Sequence, residues 1–149
     1  MDGADLEGML DPVPDRLPVL DRGRHAPGDG KVCAMEAAAW LAGEPWTDHP
    51  RSVHPVIAMV ARAVNDSVSD AQRAKLWPLV IASVGTARPR DPLLTYRLRR
   101  SSRRILKQTG GDMRATWVGL LAEHARLTGH RPAPLRLERV RELERHLRS

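Results

Sequence analysis

Between Cys33 and Asp66 the chain gathers the side-chain types that carry most protein chemistry. They are its only cysteine, a glutamate inside an alanine-rich apolar run (Glu36), Asp48 beside His49, His54, and the Asn65-Asp66 step, with Trp40 and Trp46 among them. A carboxylate among apolar neighbours must be paired or protonated once buried, because an unpaired buried charge costs several kcal/mol, on the order of a whole folding margin. Protonation would suit Glu36 to general acid or base work. Pairing would make it structural, with Arg62 on the next helix as the obvious cation. Cys33 falls in the first turn of the same helix, where the macrodipole favours thiolate and His49 or His54 could serve as base. The plainer alternative is a small packed hydrophobe.

Cys33, His49 and His54, with Asp48 or Glu36, also supply ligand types for zinc or another transition metal, but paired C-x-x-C and H-x-x-x-H spacings are absent. Cys33-Ala34-Met35-Glu36 superficially resembles the first motif of zinc deaminases. Its glutamate stands one position too late, and no second cysteine pair follows. No cofactor is implied. In Trp46-Thr47-Asp48-His49-Pro50, Asp48 can accept from the imidazole and fix its tautomer, or the segment can be a plain turn with an exposed histidine. Asn65-Asp66 suits the polar end of a helix.

A second concentration is electrostatic. Arg97, Arg99, Arg100, Arg103, Arg104 and Lys107 lie in a stretch without acids, opposite Leu94, Leu98 and Ile105 on a helix. Six phosphates neutralised there would give a slope of log affinity against log salt of about −5. The alternative is a solvated face, or one paired with the acidic N-terminus. Residues 1–85 carry 8 basic and 12 acidic groups, and residues 86–149 carry 16 and 6. Such asymmetry means either that the halves attract or that the basic half meets an anionic partner. Arginine makes up 21 of the 24 basic residues and phenylalanine is absent, the composition of a G+C-rich genome. No helix-turn-helix, RNA-binding aromatic motif or zinc finger accompanies the patch, so recognition through it would be non-specific.

The elements that must position these residues are helical, since no alternating period of two and no repeat is visible. Residues 1–30, with four prolines and five glycines, form a flexible lead-in left outside the core. A helix is expected over residues 31–42, ended by Gly43. A second runs from residues 52–55 to Asn65-Asp66, with Val56, Ile57, Val60, Ala63 and Val64 on one face. The third opens on a Ser69/Gln72 capping box and turns Ala74, Trp77, Ile81 and Val84 inward, with a kink or break at Pro78. Asp91-Pro92 starts a fourth that ends near Thr109, and Asp112 to Gly129 brackets a fifth. The last, over residues 133–148, has a narrow line of Leu137, Val140, Leu143 and Leu147, suited to a partner helix or a homodimer.

The fold expected is therefore all-α: a single compact domain of about five to six helices over residues 31–149, with a motif-bearing module (31–86) and a basic part (87–149). No apolar run approaches the roughly 18 residues of a membrane span. The N-terminus has seven acids and three arginines, unlike a signal or transit peptide, and one cysteine suits a reducing compartment, so a cytoplasmic address is expected.

Cys33-Ala34-Met35-Glu36-Ala37-Ala38, Gly43-Glu44-Pro45-Trp46-Thr47-Asp48-His49-Pro50, His54-Pro55-Val56-Ile57 and Asn65-Asp66 together resemble the pattern of an uncharacterised family of short bacterial proteins. The resemblance covers residues 32–86 and implies a module whose polar residues matter together, without implying a substrate, cofactor or reaction. Three functions follow from the residues: a non-enzymatic binding or regulatory protein that engages nucleic acid through the basic helix; a small enzyme or metal-binding protein built on Cys33, Glu36, Asp48 and His49; and a helical adaptor or homodimer.

Overall fold

The computed structural model describes Gly3, Leu6 and residues 17–88, 90–132 and 134–148. Among these the chain is all-α, and the sole β feature is an isolated bridge between Leu20 and Val32. Helix α1 (Ala34–Leu41) starts later than its composition predicts, because Val32 is committed to that bridge and Cys33 is the N-cap. Helix α2 (Pro55–Ser67) begins with proline in its first turn, capped by the His54 ring. It buries Val56, Ile57, Val60, Ala61 and Val64, so Ala61 takes the place expected of Ala63, which is exposed.

The third segment is interrupted as the sequence predicts, but at Ala74–Leu76, just ahead of Pro78, and Trp77 itself keeps α geometry. Helix α3 (Asp70–Arg73) passes through a 3-10 turn (Ala74–Leu76) into α4 (Trp77–Ser83), which carries Pro78 in its first turn. The tighter 3-10 winding resets the phase of the apolar stripe. Leu76, Trp77, Leu79 and Val80 therefore point inward, Ala74 is exposed, and Ile81 and Val84 are only half-buried.

Helix α5 (Pro92–Gln108), capped by Asp91, and α6 (Met113–Thr128), capped by Asp112, form the most extensive helix pair. Gly110 and Gly111 join them, both at positive φ that a side chain would resist. Close approach of the two helices is set at Gly119, where an added Cβ would stand 3.0 Å from Ile105 Cδ1. Helix α6 is the centre of the fold, packing on α2 and α4 as well as α5. Its Trp117 is fully buried and donates Nε1–H to Ser83 Oγ on α4 at 2.9 Å. Helix α7 (Leu137–Arg148) lies on α1 and buries Val140 and Leu143 in the chain's own core, with Leu147 partly buried against it, while Leu137 stays exposed.

Much of the lead-in, residues 1–16 apart from Gly3 and Leu6, lies outside the described residues. Its described part adds to the core: Leu6 and Leu20 are buried among the helices. Residues 17–32 run as a strap with a local turn at residues 26–30, its backbone held elsewhere mainly from the helices.

Candidate functional site

The Cys33–Asp66 constellation divides into two groups with different surroundings. The first is closed. Cys33 and Glu36 form a capping box, in which Cys33 Sγ accepts from the Glu36 amide at 3.4 Å and Glu36 Oε1 accepts from the Cys33 amide at 2.8 Å. The remaining capacity of the carboxylate goes to the strap, with the His25 amide donating to Oε2 at 2.6 Å and His25 Nδ1 lying 2.9 Å from Oε1. Glu36 is thus fully buried and paired, but with His25, in place of the expected Arg62. Arg62 instead donates to the Asp48 carbonyl at 3.2 Å. Burial pushes the Cys33 thiol up to about 12, with the adjacent Glu36 carboxylate adding to the rise and the helix amides only partly opposing it. Of the two readings of Cys33, the buried neutral thiol is the one its surroundings favour over the thiolate, because desolvation outweighs the helix N-terminus.

The same pattern repeats along the strap. Asn65 accepts from the Ala34 amide at 3.1 Å and donates to the Asp21 carbonyl at 2.8 Å, tying α1, α2 and the strap with one side chain. Asp66 accepts from the amide of Gly23, a residue at positive φ. Trp46 and Trp77 donate their indole N–H groups to the carbonyls of His25 and Pro18 at 2.7 and 2.9 Å. His146 on α7 reaches the Pro27 carbonyl at 2.6 Å, and Arg139 lies over the Trp40 ring while donating to the Trp40 carbonyl. These residues act together as a buckle that answers backbone groups of a segment with no ladder of its own, where it runs against the helices.

The second group is open. His49 Nδ1 lies 2.8 Å from Asp48 Oδ1, on a largely exposed ring. Among the described residues no hydrogen bond or ion pair joins Asp48 or His49 to Cys33 or Glu36. His54 uses Nδ1 to accept from the Val56 amide at 3.1 Å, which leaves its Nε2 facing Thr95 Oγ1 at 3.2 Å. Among the described residues no three His, Cys, Asp or Glu side chains are grouped so as to hold a metal ion, so Cys33, His49 and His54 are not brought together as ligands.

Three histidines that the sequence did not single out as a set do meet. The His54 and His124 ring centroids are 6.4 Å apart, and those of His124 and His130 are 5.4 Å apart. His124 is fully buried and lowered to about 4, first by burial and then by His130, with the Thr86 backbone pulling the other way and His54 adding a little. Burial lowers His54, with Arg99 second, and burial lowers His130. The shifts favour the neutral ring in all three, and Nε2 of His124 and of His130 has no hydrogen-bond partner among the described residues.

On α5 the six expected cations, Arg97, Arg99, Arg100, Arg103, Arg104 and Lys107, are all exposed, while Leu94, Leu98 and Ser101 face inward. Among the described residues none of the six is held in a salt bridge; Glu123, which feels Arg104, is paired with Arg126. Tyr96, the only tyrosine of the chain, stands exposed among them with the Arg100 guanidinium 5.9 Å from its ring centroid. The sequence signal for it was present, since one aromatic at position 96 shares the face of Arg100 one turn on. Comparison with protein-family models, with curated proteins and with solved structures found no match.

Proposed function

We propose that this chain is a non-enzymatic binding or regulatory protein that engages nucleic acid through the outer face of α5. What supports this is that six cations lie exposed on one helix with no carboxylate bound to any of them among the described residues. Phosphate binding needs cations that are accessible and not already bound to carboxylates, as these are. Tyr96 adds a flat apolar ring beside the arginines, the combination on which unstacked bases rest. Single-stranded nucleic acid is therefore preferred to duplex, because only its bases can reach the ring. No described helix is long and apolar enough to cross a membrane, and the proposal places the protein with its partner in the cytoplasm.

Fluorescence anisotropy with short duplex DNA and with single-stranded RNA, each at low and near-physiological salt, tests it. The expected result is tighter binding to the single strand, with a log–log salt slope of about −4 there, and about −5 on duplex, if all six cations contact phosphates. Absence of binding at low salt would end the proposal.

A further inference from the structure

The open group of residues borders a cavity that α5 alone does not explain. A cleft of about 590 Å³ lies where the loop before α2, the first turns of α2 and the N-terminus of α5 converge. Its wall carries Arg51, Arg62 and Arg90 against a single carboxylate, Asp91. That carboxylate is already committed to the α5 N-cap, accepting from the Leu93 amide at 2.9 Å. Among the described residues none of the three arginines is in a salt bridge. Cleft volumes of about 300–1,000 Å³ are those that hold small ligands, and the usual design is an apolar floor with a few convergent polar groups. Here Val53, Ala58 and Ala87 supply the floor.

The rim is held in place before any ligand arrives. Glu44 accepts from the amides of Arg51 and Ser52 and from Ser52 Oγ, fixing the loop that bears Arg51. The Ser52 carbonyl accepts from the amides of Gly85 and Ala87, and Thr86 Oγ1 accepts from the His54 amide at 2.9 Å, which fastens the loop leading to Arg90. Arg62 is anchored by its bond to the Asp48 carbonyl. The positive ends of two helices, α2 and α5, add to the field of the arginines at the same place.

We propose that this cleft binds a nucleotide, its phosphate held by Arg51, Arg62 and Arg90 and its base on the apolar floor. Three guanidiniums around one phosphate match the anion bidentately, as a lysine cluster would not. The site uses none of the six cations assigned to nucleic acid on α5, so it goes beyond that function and can fail separately from it. Thr95 of α5 lines the cleft and lies 3.2 Å from His54 Nε2, which places the cleft beside the α5 helix. One shared chemistry, a nucleoside phosphate, can thus arrive as a free nucleotide or as the phosphorylated end of a bound strand.

Isothermal titration calorimetry on the full chain tests this with adenosine 5′-monophosphate, adenosine and inorganic phosphate. The monophosphate should bind one to one, and adenosine should bind at least about tenfold more weakly, since it lacks the group the arginines hold. Arg62→Gln with Arg90→Gln should weaken the monophosphate by about tenfold or more. Arg51→Gln with Arg90→Gln, both exposed, should do the same without touching the Arg62–Asp48 bond. Replacing Arg97, Arg100, Arg103 and Arg104 with Gln should leave monophosphate binding within about twofold, which separates this site from α5. Equal binding of adenosine and the monophosphate, unchanged affinity in both cleft variants, or no binding of the monophosphate overturns the proposal. Competition by a 5′-phosphorylated dinucleotide but not by its 5′-hydroxyl form assigns the ligand to a strand end. Competition by neither assigns it to a free nucleotide.

Discussion

The buckle around Glu36 and the outer face of α5 are both polar, both helical and both conspicuous in the sequence, yet they are opposite in how their charges are answered. Glu36 is fully buried and has accepted hydrogen bonds from the Cys33 amide and from the amide and ring of His25. Asn65 has spent its carbonyl on α1 and its amine on the strap. On α5 the guanidiniums face solvent and, among the described residues, bind no carboxylate. A density of polar residues therefore marks either a place where the backbone needs partners or a place where a ligand does. The difference lies in which atoms are already occupied, a property of three dimensions.

The sharpest way to break this contrast is to remove the central acceptor of the buckle. Glu36→Ala strands two buried amides and an imidazole N–H, so it should destabilise the protein by about 3 kcal/mol, measured by urea unfolding. Binding per folded molecule should not change. Glu36→Gln, which keeps one acceptor oxygen, should cost roughly half as much. A Glu36→Ala protein of unchanged stability that had lost an activity would turn the buckle into a site. The converse change is to replace Arg99, Arg100, Arg103 and Arg104 with Gln. Stability should stay within about 0.5 kcal/mol per substitution, as is usual for surface positions, while affinity for single-stranded RNA at low salt falls by about a hundredfold or more, or roughly 2.7 kcal/mol.

The sequence makes these two regions unequally legible. Helices α2, α5 and α6 announce their ends locally, through Pro55, the Asp91-Pro92 pair and Gly129, and the α5 cations are exposed because Leu94 and Leu98 fix which face turns inward. The break just ahead of Pro78 is equally local, but its consequence is not. The phase reset across Ala74–Leu76 moves the buried set from Ile81 and Val84 to Leu79 and Val80. The strap defeats a local argument altogether, because its order comes from Trp46, Asn65, Asp66 and Trp77, up to 59 residues away in sequence. For the same reason the partner of Glu36 could not be found among helix neighbours, since His25 lies in a segment with no periodicity. The capping box itself was within reach: Cys33 and Glu36 have S-x-x-E spacing once a thiol is counted as an acceptor.

A smaller effect tests the cluster of His54, His124 and His130. An unfolded chain takes up an imidazole proton near pH 6.5, whereas His124 in the fold does so only at about 4. Above about pH 6.5 both states are neutral and the cluster adds no pH dependence. Between there and about pH 4 the unfolded chain binds the extra proton, so stability falls as pH falls, by at most about 1.4 kcal/mol per pH unit from His124. Below about pH 4 its contribution is constant. His54 and His130, shifted in the same direction, steepen the fall. Melting temperatures at pH 7, 6 and 5 should decline in the native chain and decline less in His124→Leu, which loses no hydrogen bond at Nε2. A parallel decline in both would place the pH dependence elsewhere.

The smallest effect separates the two roles of Cys33, cap and core residue. If the thiol matters as an acceptor for the Glu36 amide, Cys33→Ser keeps the cap with a better acceptor and should change stability by no more than about 0.5 kcal/mol. Cys33→Val keeps apolar volume but deletes the acceptor, and should cost about 1 kcal/mol. If packing dominates, the order reverses, because a buried hydroxyl replaces a hydrophobe in a site only 4% exposed. Thiol chemistry gives an independent reading of the same residue. With burial holding the group neutral up to about 12, alkylation at pH 8 should proceed only through unfolding, and should quicken in Glu36→Ala in proportion to its loss of stability. Rapid labelling of the native chain, unaffected by Glu36→Ala, would mean an accessible thiolate, and would move Cys33 from the closed region to the open one.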